Sequence, residues 1–177
     1  LKDFSNIKAG DLGGYIGSEK NLSHNYNAWV YGNARVCGNA RVCGNAWVSD
    51  NAQVYGNAQV SDNAQVYGNA WVYGNAWVYG NARVCDNARV YGNARVYSNA
   101  RVSNNAQVYD NAWVYGNTQV SNNAQVSNNA QVYGNAQVSD NARVCGNAIV
   151  ENEKECLFVT SHKYSITITK NHIAIGC

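Results

Sequence analysis

From Asn27 to Val150 the apolar and polar positions recur every six residues without insertion or deletion. Val takes every sixth position, 21 times in 21 from Val30 to Val150. Ala stands two residues before each Val, from Ala28 to Ala148, with Thr118 the one exception, and Asn precedes each of those positions. The unit reads N-A-x-V-[YSC]-[GDNS]. Ala and Val two apart point to one side of an extended segment, and the residue between them points to the other. That middle residue is Trp, Arg or Gln until Ile149. Ala and Val are therefore the predicted interior. The middle residue and the Tyr, Ser or Cys that follows Val are the predicted exterior.

The next positions are Gly, Asp, Asn or Ser followed by Asn, residues that tolerate positive φ and close tight turns. Each hexapeptide thus reads as a short strand and a corner. A helix does not fit, because a period of six misses 3.6 and Val, Asn and Gly form helices poorly. Hairpins do not fit strands this short with identical corners throughout. Coiling in one direction does fit, with each strand stacked on its copy one coil away at about 4.8 Å. Equal corners suggest a triangular section with three hexapeptides per coil, although the period alone leaves that number open. The asparagines are corner residues whose amides are placed to ladder from coil to coil.

Composition sharpens this picture. Ala, Val and Tyr dominate the hydrophobic content, with two Phe and no Met among 177 residues, so a thick core cannot be built. Proline is absent, as an unbroken backbone ladder requires. A net charge of +2 gives no field that selects nucleic acid, a membrane or an acidic substrate. No apolar run is long enough to span a bilayer, and no signal-peptide pattern opens the chain. Leu1 in place of Met suggests a processed or truncated form. Cys37, Cys43, Cys85, Cys145, Cys156 and Cys177 include no C-x-x-C pair, so a zinc site is not indicated. The first four occupy a repeat position otherwise held by Tyr or Ser, and they read as ordinary occupants of it rather than as a disulfide framework.

An aliphatic residue with a small residue four later (Val30 and Ala34, Val36 and Ala40) resembles the hexapeptide-repeat proteins. The fuller pattern Tyr79-Gly80-Asn81-Ala82-Arg83-Val84 is similar to the YdcK-like hexapeptide proteins of bacteria and their phages. The lead-in from Ile7 to Ile16, followed by Glu19 to Ser23, resembles that of phage and prophage members. The resemblance implies an all-β fold, a left-handed parallel β-helix (β-solenoid) with three hexapeptides in each coil. Residues 27–150 then make about seven triangular coils, a rod of about 34 Å. Residues 1–26 read as an N-terminal cap and degenerate first coil, with His24 standing where Val belongs. Residues 151–177 read as a C-terminal β-hairpin cap, Ser165–Thr169 and His172–Ile175 about a two-residue turn.

Aligning every third hexapeptide exposes columns. Tyr55, Tyr73, Tyr91 and Tyr109 share one, and Tyr79, Tyr97, Tyr115 and Tyr133 a second. The third equivalent column is mostly Ser (Ser49, Ser103, Ser121, Ser139), interrupted by Tyr67 and Cys85. Such tyrosines stack to stabilise successive coils and also offer a sticky surface. Trp29 and Trp47 fall in one column, Trp77 and Trp113 in another, and Trp71 on the third face. Five exposed Trp suit burial on oligomerisation, with a sugar or aromatic-ligand platform as the lesser reading. Arg83, Arg89 and Arg95 lie one on each face of a single coil with Arg101 above Arg83, a belt that is either a solvated surface or an anion contact.

Acyltransferases of the hexapeptide superfamily carry a catalytic His on the helix wall, and their sites lie between subunits of a trimer. Here His24, His162 and His172 all fall outside the regular repeats, and no loop interrupts residues 27–150. Neither a Ser–His–Asp set nor a carboxylate pair is indicated, and Asp50, Asp62, Asp86, Asp110 and Asp140 sit at corners. No catalytic residue, metal or cofactor is expected. The first reading is a non-enzymatic scaffold or binding module that self-associates through its aromatic faces, with assembly into fibres as its specific form. The second is an acyltransferase at a trimer groove. The third is a phage protein that binds a host protein or small anion. The expected partner is a homo-oligomer mate or another protein. A phage-type protein is expected in the cytoplasm and a fibre-former outside the cell.

Overall fold

The structure is a computed structural model that describes residues 10–152 together with the strand backbones 156–160, 165–169 and 172–175. It is a parallel β-solenoid without an α-helix among the described residues. Every hexapeptide contributes a two-residue strand, and each strand pairs in parallel register with the third strand after it. Three sheets result. Sheet I has eight strands, Tyr15–Ile16 and then Arg35–Val36 through Trp71–Val72 and Arg89–Val90 to Arg143–Val144. Sheet II has seven, from Arg41–Val42 through Trp77–Val78, Arg95–Val96 and Trp113–Val114 to Ile149–Val150. Sheet III has seven, from Trp29–Val30 through Arg83–Val84 and Arg101–Val102 to Gln137–Val138.

The interior is the Ala–Val column pair of each sheet. All the repeat valines are at most 2% exposed and the repeat alanines at most 5%. Amides of each coil donate to carbonyls of the next, as from Arg35 to Ala52 at 2.9 Å and from Cys37 to Val54 at 3.0 Å. Every corner residue from Gly32 to Gly146 has φ between +58° and +80°, nine of them not glycine. At Gly68 a side chain would also collide, since a Cβ there would lie 2.8 Å from the Asp86 amide nitrogen. Asp answers the same geometry with its carboxylate: Oδ2 of Asp50, Asp62, Asp86 and Asp110 accepts the amide N–H of the corner one coil on.

Two expectations are corrected. The position after Val is not uniformly outside, because Ser49, Cys85, Ser103, Ser127 and Cys145 are buried. These side chains are short, and Ser49 lies between the longer Tyr31 and Tyr67 in its column. Second, His24 does not take a valine place. Leu22 bridges to Val42, and Ile16 pairs with Val36, so the lead-in coil is longer than a regular coil by two residues. The two additional residues fall before Trp29, where Tyr26 turns with φ +66°. Gly13 and Gly14 cross the first coil so closely that a Cβ on Gly14 would meet the Ala34 carbonyl at 2.7 Å. Buried Asn21 closes this coil: its amide nitrogen donates to Gly38 and Ala40 carbonyls, and its oxygen accepts from the Ser18 amide.

The C-terminal hairpin of Ser165–Thr169 and His172–Ile175 gains a third strand. Cys156–Thr160 pairs with Ser165–Thr169 on its other edge, completing an antiparallel sheet. The middle strand of that sheet lies beside Arg143–Val144 of sheet I.

Thr118 is the one repeat alanine position that carries a hydroxyl, and its Oγ1 is buried without a hydrogen-bond partner. The corner ahead of it, Gly116, has the widest φ of the repeat corners, +80°. Thr118→Val keeps the shape and removes the orphaned hydroxyl, so it should raise stability by about 1 kcal/mol in denaturant unfolding. Ser98 holds a left-handed conformation, φ +60°, which Gly adopts without steric penalty. Ser98→Gly should stabilise by about 0.5–1 kcal/mol, read by the same measurement.

Candidate functional site

With three hexapeptides per coil, each outward side chain has its chemical neighbour set by the equivalent residue one coil away. The asparagines show this most fully. Nδ2 of each donates to Oδ1 of the next at 3.0–3.3 Å, from Asn27 to Asn135, Asn33 to Asn141 and Asn39 to Asn147. Every amide in these columns that has a following coil uses it, so the repeat Asn is a ladder residue as well as a corner. A fourth short ladder, Asn104 to Asn122 to Asp140, runs beside one of the three and was not visible in the consensus unit. Between the two lies a polar trough of about 510 Å³ lined by Asp86, Asn104, Asn122, Asp140 and the neighbouring asparagines.

Both tyrosine columns form continuous stacks. On sheet I the rings of Tyr55, Tyr73, Tyr91 and Tyr109 lie 4.9–5.0 Å apart and within 4° of parallel. On sheet II those of Tyr79, Tyr97, Tyr115 and Tyr133 lie 4.8–5.1 Å apart. Ring faces therefore point along the rod and cover one another, leaving edges and hydroxyls outward. Tyr91 and Tyr109 also donate their hydroxyls to Gln107 and Gln125. Each stacked pair contributes about 0.5–1.5 kcal/mol beyond area burial.

The tryptophans and arginines are one system rather than two. Arg95 lies between Trp77 and Trp113, its guanidinium carbon 5.5 and 5.1 Å from their ring centroids. Arg89 lies over Trp71 at 5.2 Å, and Arg35 over Tyr15 at 5.5 Å. Consensus reading separated these residues; matching middle positions one coil apart would have joined them. A sugar-stacking platform loses support, since Arg95 covers one face of each of the two most exposed indoles. Not all five tryptophans are exposed, contrary to expectation. Trp29, Trp47 and Trp71 are half-buried, Trp47 edge-on to Tyr31 and Trp71 edge-on to Tyr55. Trp77 and Trp113 are 43% and 37% exposed, and Ile149 in the same column of sheet II is 39% exposed.

The belt of arginines divides accordingly. Arg89 and Arg95 are held over indoles, whereas Arg83 and Arg101 sit side by side in register on sheet III. That sheet carries small residues after Val, as expected. There Cys85 donates to Asp86 Oδ2 at 3.4 Å. Burial pushes the Cys85 thiol up, keeping it protonated. Cys37 and Cys43 are also free, but Cys145 is disulfide-bonded, so it is not an ordinary occupant of its position.

The described residues contain no group of three His, Cys, Asp or Glu placed to hold a metal, and no helix long and apolar enough to cross a membrane. His24 is exposed, with Nε2 3.4 Å from a carboxylate oxygen of exposed Glu19. His162, and the side chain of His172, lie outside the described residues.

Burial, with the neighbouring tyrosines of the stack next, raises Tyr91 to about 12, and burial first among its causes also raises Tyr55, Tyr79, Tyr97 and Tyr115. The folded protein then holds protons that the unfolded chain releases above the ordinary tyrosine value of about 10. Stability from the stacks should be fully present below pH 10 and fall as pH rises from 10 towards 12. Absorbance titration at alkaline pH should show a block of tyrosines that ionises late in buffer and at the ordinary pH in denaturant.

Comparison with curated proteins finds no match. A family model described as the YdcK beta solenoid repeat matches residues 34–56, 58–74, 64–80, 82–98, 88–104, 106–122 and 136–152. Those segments cover more than half of the chain and follow the coils described above, and the chain belongs to the YdcK β-solenoid repeat family.

Proposed function

We propose that the protein is a non-enzymatic scaffold that self-associates laterally through the outer face of sheet II. One observation supports this reading above the others. Within the repeats the exposed large apolar side chains are Trp77, Trp113 and Ile149, and all three lie in the middle-residue column of sheet II. The other two faces half-bury their tryptophans. A tyrosine stack runs beside that column, with Trp77 edge-on to Tyr79 at 6.5 Å. The face is flat because its strands share one register, and of the two charges in its middle-residue column, Arg41 and Arg95, the second is held between Trp77 and Trp113.

The size of the face bounds the strength of association. Seven strands at ~4.8 Å and a side of ~15 Å present about 500 Å² per protomer. That is near the low end for stable dimers, the size range of weak and reversible association. Growth end to end is opposed at the N-terminal end, where Gly13 and Gly14 cover the first strand of sheet III.

Gln occupies the same column at Gln59 and Gln131, so Trp77→Gln with Trp113→Gln preserves the fold. Sedimentation velocity across a concentration series should show the native protein dimerising reversibly and this double variant remaining monomeric. Trp29→Gln on sheet III should associate as the native protein does. A native protein that stays monomeric at roughly 100 μM would refute the reading.

A further inference from the structure

Arg83 and Arg101 are the one pair of like charges set in direct register among the described residues. The rungs before and after them in the same column are Gln65 and Gln119. Like charges directly opposite one another oppose strand pairing. The repeat accommodates neutral Gln at this position, so the fold does not require the conflict. Elsewhere the arginines in register with an aromatic residue are covered by it: Arg35 by Tyr15, Arg89 by Trp71, and Arg95 by Trp77 and Trp113. Arg83 and Arg101 are exposed and have neither an aromatic cover nor an acidic partner among the described residues. The nearby carboxylate, Asp86, is engaged by the Asn104 amide and the Cys85 thiol.

The surface beside the pair also differs from that of the other sheets. Where sheets I and II raise a wall of tyrosine rings, sheet III has buried Cys85 and Ser103. The two guanidiniums thus flank low ground at Cys85 and Ser103, bordered by the Tyr67 ring one coil earlier. The strands that carry the pair are about 4.8 Å apart, and each guanidinium presents a planar fork of donors that suits an oxyanion.

We propose that Arg83 and Arg101 form a binding site for a phosphate or sulfate group, which neutralises the pair and relieves its repulsion across two coils. The site lies on a different face from the association surface of sheet II and does not depend on it.

The test uses the full chain at low ionic strength, with inorganic phosphate, inorganic sulfate and phenyl phosphate as probes and chloride as the matched ionic control. Calorimetric titration should show saturable binding, and each bound oxyanion should raise Tm above the chloride control. Arg83→Gln and Arg101→Gln should each weaken binding at least fivefold, and the double variant should abolish it. Arg89→Gln should leave it unchanged. Gln is the residue of the adjoining rungs, so the double variant should fold, and without oxyanion Arg101→Gln should melt above the native protein. Tighter binding of phenyl phosphate would identify a group carried on a larger molecule; equal binding would identify the free ion. No saturable response in the native protein, or equal binding by the double variant, would overturn the proposal.

Discussion

Everything in this molecule depends on parallel stacking at a constant separation of three hexapeptides. The core is too thin to act alone, being two small aliphatic columns per sheet. Constant stacking supplies the rest by repeating each interaction along the rod: backbone amide to carbonyl, asparagine to asparagine, ring to ring. The ring spacing of 4.8–5.1 Å is the coil spacing read out in side chains. It falls within the preferred separation for aromatic stacking, so the backbone sets the geometry that the tyrosines need. The stacked tyrosines therefore contribute to coil stacking first, and only their edges and hydroxyls remain for any partner.

The same constraint makes departures from the repeat informative. A residue that stacks on its own kind is explained by the ladder. One that breaks the pattern needs its own account. Asp at a corner has one, since its carboxylate takes an amide of the next coil. Arg95 has one in the indoles on either side of it. Thr118 and Ser98 have none in the structure and stand as local costs. The Arg83–Arg101 pair is a conflict between neighbours rather than within one residue, and the oxyanion proposed above would relieve it.

The ends of the rod solve a different problem, because an open stack leaves strand edges unpaired. At the N-terminal end the lead-in shifts register by two positions and brings Ile16 and Leu22 onto the valine columns. The glycines at 13 and 14 let its backbone cross the first coil. At the C-terminal end an antiparallel sheet of three strands lies beside the last strand of sheet I. Exposed large apolar side chains are found both at the N-terminal end, where Leu12, Tyr15, Ile16 and Tyr26 stand open, and, within the repeats, on the outer face of sheet II.

The amino-acid sequence by itself determined the strand-and-corner unit, the Ala–Val interior and, once every third hexapeptide was aligned, every column of Tyr, Trp, Arg and Asn. Strict periodicity made this possible, since a side chain's stacking neighbour follows from arithmetic. The left hand of the coil was an implication of resemblance. Tertiary structure alone decided which tryptophans are covered, because exposure depends on neighbours in the adjoining column as well as above and below. It also decided that five of the short side chains after Val, at Ser49, Cys85, Ser103, Ser127 and Cys145, are buried, that Cys145 is disulfide-bonded, and that Leu22 rather than His24 meets the valine column. The spacing of six between Ile16 and Leu22 was present in the sequence, but a register shift is invisible to a pattern counted backward from the repeats. Only packing against the first coil distinguishes the longer lead-in from a regular coil, because a shift by two keeps alternate residues on the same side of the strand.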